Sequence, residues 1–142
     1  MTRAILLATI FALSTVAADA APEWPLTRPE RTHGLETSSY IDTLTFLDVL
    51  RTLGAPIVVK PIGRSPQGHD IPLVTVADPP VSSAEGARAT GRVVVYLQAN
   101  IHGGEVEGKE AVQMLVREIA QGHHPKWLKH LVIIATPIYN ID

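Results

Sequence analysis

The residues best suited to chemistry stand in one short joint, His102-Gly103-Gly104-Glu105. An imidazole nitrogen and a carboxylate oxygen are both good ligands for zinc, and this spacing lets a turn aim them at one point. The two intervening glycines permit backbone angles that other residues avoid. A His three residues before a Glu also occurs in ordinary strand-to-helix turns, so the pair gains its meaning from its place. It follows the apolar run of residues 93–97 and precedes an amphipathic helical pattern. In open α/β sheets, sites form beyond the carboxyl ends of strands, which is where this joint falls. Glu105, in the first helical turn, would be kept ionised by the positive end of the helix dipole.

A catalytic zinc site takes three protein ligands and a water, and two are present here. His123 and His124 follow Glu105 by about 18 residues, roughly 27 Å along a helix, which puts them at its far end. His130 opens the next strand at the opposite edge. His33 and His69 sit in loops whose direction the sequence does not show.

The elements that must position the pair can be read around it. Residues 93–99 are expected to form a central strand, apolar on both faces and therefore covered on both. The next helix should run from about Glu105 to Gln121, with Ala111, Val112, Leu115 and Ile119 buried and Lys109, Gln113 and Arg117 facing out, until Gly122 ends it. Residues 131–135 read as a second buried strand, parallel to the first through a right-handed crossover. Upstream, Thr37-Ser38-Ser39 supplies capping hydroxyls for a helix on which Tyr40, Ile41, Leu44, Leu47, Leu50 and Leu53 recur, and Gly54 and Pro56 stop it. Residues 57–59 and 71–76 read as neighbouring strands joined by a turn-rich loop, and Pro72 places the second at an edge or near its own start. Residues 78–91, rich in Pro, Ser, Ala and Gly, read as an exposed connection. These elements predict an α/β fold with a mixed, largely parallel sheet and helices on both faces.

Composition narrows the function classes. The 142 residues make one domain at most. Residues 1–20 have the form of a secretory signal peptide: a short basic start, an apolar run of about 13 residues, then Ala18-Asp19-Ala20 as a cleavage signal. That run is shorter than the ~20 residues a membrane span needs. The expectation is therefore an exported protein, periplasmic or secreted, with no membrane association once the signal is removed. Residues 21–37, rich in proline and without hydrophobic period, read as an extended arm that Trp24 could pin to the body. With no cysteine, thiolate zinc sites, cysteine nucleophiles and disulfides are excluded. A net charge of -2 provides no basic footprint for nucleic acid or anionic lipid, so the expected partner is a small or peptidic molecule. The chain stops at Asp142, directly after a buried strand, and is read as the front portion of a longer domain, incomplete at its carboxyl end.

Three stretches in order resemble landmarks of the zinc carboxypeptidases, the carboxypeptidase A-like metallopeptidases. They are Ile62-Gly63-Arg64-Ser65-Pro66-Gln67-Gly68-His69-Asp70-Ile71, the His102 to Glu105 joint, and Pro137-Ile138-Tyr139-Asn140-Ile141-Asp142. The resemblance implies that residues 38–142 are the amino-terminal part of such a catalytic domain and that His102 and Glu105 are its first two zinc ligands. It further implies a peptide substrate, cut near its C-terminus. The family's third ligand, general-base glutamate and carboxylate-binding arginine lie further downstream, so no catalytic residue is assigned within this chain, and alone it should be inactive. Asn140 and Asp142 match a turn that is structural in the family. Gln67-Gly68-His69 stands where Glu-Gly-Arg is usual, and Gly104 where digestive members carry an arginine, which bears on substrate preference. The same fold also serves amide hydrolases acting on N-acyl amino acids, mostly intracellular. A non-catalytic binding domain that keeps the fold is the third alternative.

Overall fold

The computed structural model describes residues 23–142, so the expected signal peptide lies outside the described residues. One four-stranded sheet runs in the order β1-β2-β4-β3, with β1 at Ile57–Arg64, β2 at Asp70–Val76, β3 at Val93–Gln98 and β4 at Leu131–Thr136. β1 pairs antiparallel with β2, β2 antiparallel with β4, and β3 parallel with β4. The sheet is mixed as expected, but mostly antiparallel rather than largely parallel. The reason lies in the connections: only β3 and β4 are joined by a helical crossover, which a parallel pair requires, whereas the short 65–69 loop folds β2 back along β1. Pro72 stands near the start of β2, ahead of the Val74 to Val76 stretch that pairs with β4, so its missing N–H leaves that ladder intact.

β3 is an edge strand among the described residues, not the central strand predicted. Val93 is 64% and Tyr96 50% exposed. Its apolar composition signalled burial; it does not reveal which neighbours supply it.

Helices cover both faces unequally. α2, Tyr40–Thr52, starts at Ser39, whose hydroxyl accepts from Asp42 N while Ser39 N donates to Asp42 Oδ2. Its buried face is Thr43, Phe46, Leu47 and Leu50; Ile41, expected on that face, is 65% exposed. Together with Val112, Val116 and Ile119 of α4, Val106–Ala120, these side chains pack on Val74, Val76, Ile133 and Ala135. On the opposite face, α3, Ala84–Ala89, lies within the stretch expected to be an exposed connection. Its Ala87 and the preceding Val81 pack on Val132 and Ile134, the alternate residues of β4. Among the described residues, no helix is long and apolar enough to cross a membrane.

The largest departure concerns the polar side of α4. Lys109, Gln113 and Arg117, expected to face solvent, are buried, while Ala111 is exposed. The segment expected to be an extended arm, with Ser38 directly after it, supplies partners to Arg117 and Lys109. It carries one helical turn, α1 at Arg28–Arg31, and Trp24 packs on the core as anticipated. Arg117 donates to both carboxylate oxygens of Glu30, at 2.6 and 2.7 Å, and to Pro25 O at 2.8 Å. Lys109 Nζ donates to Ser38 O, and burial pushes its pKa down. Charged side chains lie in the interior here because the arm returns a partner to each, which a helical-period argument cannot anticipate.

This clamp makes folding sensitive to acid. The Arg117 guanidinium holds the Glu30 carboxyl down at about 2, against the upward push of burial, with Thr27 adding hydrogen bonds. A depressed carboxylate contributes stability that is fully present above the unfolded value near 4.5 and is lost as pH falls through about 2. The contribution is roughly 3 kcal/mol by linkage. Denaturant melts between pH 5 and about 2 should show this loss in the wild type and a flatter profile in Arg117→Met. An unchanged slope in that variant would place the acid sensitivity elsewhere.

Candidate metal centre

β3 ends at Gln98, but the chain stays anchored for two more residues. Ala99 N donates to Thr136 O, Tyr139 N to Ala99 O, and Asn140 N to Asn100 O at 2.9 Å. At Asn100 the backbone turns left-handed, with φ of 54°, and the 101–104 loop begins. The glycines are not what allows the turn. Neither Gly103 nor Gly104 lies in the left-handed region, and a Cβ at either would meet nothing within 4 Å. What they leave is an open surface beside His102. The close approach is at Gly108 instead, where an added Cβ would lie 3.1 Å from Ala99 Cβ, tight enough that the neighbour would have to shift by a few tenths of an ångström.

The predicted pair does come together. His102 Nδ1 lies 2.8 Å from Glu105 Oε1, and His102 N donates to Glu105 Oε2 at 3.2 Å. Both side chains face solvent, at 80% and 58% exposed. Glu105 is the residue at which α4 starts, one position before its first helical residue, so the helix dipole acts on its carboxylate. The hydrogen bond between the two raises the His102 pKa and lowers that of Glu105. Of the neighbouring glutamates, Glu107 is exposed, whereas Glu110 is buried and accepts from Thr37 Oγ1, Ser38 N and Ser38 Oγ.

His124 lies at the far end of α4, as expected. It stacks on Trp127 with ring centres 4.1 Å apart and contacts Glu118. His69 lies against Tyr40, and His130 closes α5, Trp127–His130. No cluster of three or more His, Cys, Asp or Glu suited to a metal occurs among the described residues. The donor set of His102 and Glu105, one imidazole and one carboxylate, fits zinc chemically and supplies part of a coordination shell.

The first and third sequence landmarks meet around one cleft of about 320 Å³, beside the residue that precedes His102. Arg64 lines it from the end of β1, Pro66 from the β1–β2 loop, Ile101 from the position just before His102, and Tyr139, Asn140 and Asp142 from the last stretch. Asp142 Oδ2 accepts from Gln67 N at 3.1 Å, so the last stretch also tethers the first. Sequence reasoning missed Asn100, Gly108 and the Ser38–Glu110 contact. Asparagine's tolerance of left-handed backbone was the one available signal.

A family profile described as zinc carboxypeptidase matches residues 44–142. No curated protein sequence matches the chain. Among solved structures, the carboxypeptidase A from Helicoverpa armigera superposes with a TM-score of 0.63 at 17% identity, over 75% of this chain and 25% of that one. Thrombin activatable fibrinolysis inhibitor gives 0.62 at 16% identity, over 75% and 26%. A metallo-carboxypeptidase from Burkholderia cenocepacia gives 0.61 at 23% identity, over 75% and 28%. At these identities the likeness is one of fold. The chain spans about a quarter of the length of each of these structures.

Proposed function

The chain belongs to the zinc carboxypeptidase family, and from that premise we propose that it carries the first part of a zinc metallocarboxypeptidase site, with His102 and Glu105 as two of the ligands. The observation that carries this reading is the imidazole–carboxylate pair, 2.8 Å apart, at the mouth of a strand-to-helix joint. When bound, zinc would polarise a scissile carbonyl and lower the pKa of a water. The chain's own part is to hold two donors at the strand end: β3 and the 137–140 segment fix the joint's entrance, and α4 fixes its exit. The cleft beside Ile101 leaves room for a peptide next to the pair. Hydrolysis of a peptide bond near the C-terminus, and export with cleavage after Ala20, are parts of the same proposal.

Protein recovered from an exporting host, in the longest form the gene encodes, tests it. Expected are an intact mass starting at Ala21, bound zinc, and release of the last residue from blocked dipeptides. Turnover of N-acyl amino acids in place of peptides would favour the amide hydrolase reading; peptide binding without turnover would favour a binding domain. Residues 1–142 alone are expected to bind zinc weakly and to lack turnover, since two ligands supply only part of the coordination free energy.

A further inference from the structure

We infer that Asn100 is a positioning residue for this site: its buried carboxamide, seated on a left-handed backbone, shapes the 101–105 loop into the form that brings His102 and Glu105 together. The inference rests on the reading of those two residues as metal ligands. Because both side chains and both loop glycines are exposed, little packing holds them. Backbone shape must therefore set their separation. Among the described residues, the side chains hydrogen-bonded to the loop backbone are Glu105 itself and Asn100.

Asn100 is 4% exposed. Its Nδ2 lies 3.2 Å from His102 O, 3.3 Å from Gly103 O and 3.2 Å from Glu105 O. Two N–H protons are thus shared among three carbonyls, which turns all three peptide oxygens inward. The His102 N–H meanwhile reaches Glu105 Oε2, and Glu105 N donates to His102 O. On its other side the residue is fixed to the body, since its own carbonyl accepts from Asn140 N. A side chain that supplies donors to the loop while its backbone is held by the sheet end transmits the sheet's rigidity to two exposed ligands. Asparagine meets both demands: it tolerates positive φ and carries an NH₂. Aspartate has the shape without the donors, and glycine the backbone freedom without the amide.

Asn100→Gly and Asn100→Asp, made in the 142-residue chain, separate the two demands. Zinc chloride is titrated while the His102 ring nitrogens are followed by NMR, and amide order over residues 101–105 is measured by heteronuclear NOE without metal. Both variants are expected to bind zinc about 10- to 100-fold more weakly, the range for outer-shell partners of a ligand, with the loop amides less ordered than in the wild type. A folded Asn100→Gly with wild-type zinc affinity would overturn the proposal. If the wild type shows no zinc-dependent change at His102, the ligand reading fails and the positioning role toward metal fails with it. The shaping of the loop is then judged on order alone, and equal order in Asn100→Gly overturns that too. Should neither variant fold, the wild-type Asn100 side-chain amide decides: protected exchange supports the cradle, and exchange at the free rate refutes it.

Discussion

Glu105→Ala is expected to lower the zinc affinity of the chain by more than ~100-fold, beyond the range of an outer-shell change, while Glu107→Ala leaves it within about twofold. His102→Ala should match Glu105→Ala. The contrast between the two glutamates follows from geometry. Glu105 stands where α4 starts and touches the imidazole at 2.8 Å, whereas Glu107 is exposed within the first turn and, among the described residues, makes no hydrogen bond to His102. At ~100° per residue it points about 200° around the axis from Glu105. Metal binding should also fade with acid, because zinc competes with the proton on His102. Glu105 raises that pKa, so the loss begins at a higher pH than for a free imidazole. Calorimetric zinc titrations of the variants over a pH series measure both effects. Retention of zinc by Glu105→Ala together with its loss in Glu107→Ala would mean that the ligand has been misassigned.

The second large effect is on stability and belongs to a residue outside the His102–Glu105 pair. Glu110→Ala should destabilise the fold by about 3–5 kcal/mol, the cost of leaving buried polar partners uncompensated. The carboxylate accepts from Ser38 N and Thr37 Oγ1, both at 2.6 Å, and from Ser38 Oγ at 2.7 Å. Gln113 Nε2 also lies 3.3 Å away. Removing the acceptor strands the N–H and hydroxyl of Ser38 in the interior, whereas Thr37 is exposed and can turn to water. The substitution also removes one of the two carboxylates, Glu110 and Asp42, whose negative charge favours the buried Lys109 ammonium. Glu110→Gln restores size and one acceptor oxygen and should recover part of the loss. Thermal melts of the two variants check this, with a fall on the order of 10 °C or more expected for alanine. A melting temperature within a degree or two of the wild type would show that the arm is not held by this contact.

These two results bear on different kinds of legibility. The pairing of His102 with Glu105 could be found in the sequence because its determinants are local: residue types three positions apart, an apolar run before them, a helical period after them. Helix α2, the β1–β2 pair, and the parallel β3–β4 unit about α4 were legible for the same reason. Caps, turns and hydrophobic periods act within a few residues. The three landmarks identified the family from order and residue type without any knowledge of where they meet.

Tertiary structure alone decided the rest. The strand order, and with it the mostly antiparallel sheet and the exposed flank of β3, depends on pairings between segments far apart in the chain. The burial of Lys109 and Arg117 depends on residues 25–38, some 70 to 90 positions earlier in the chain, lying against them. Periodicity marks that face of α4 as polar. It does not distinguish a polar face wetted by solvent from one satisfied by another part of the protein, because both provide hydrogen bonds. The same limit hid Asn100: its residue type permitted a left-handed turn, but the three carbonyls that give its amide a purpose are brought to it only when the loop closes.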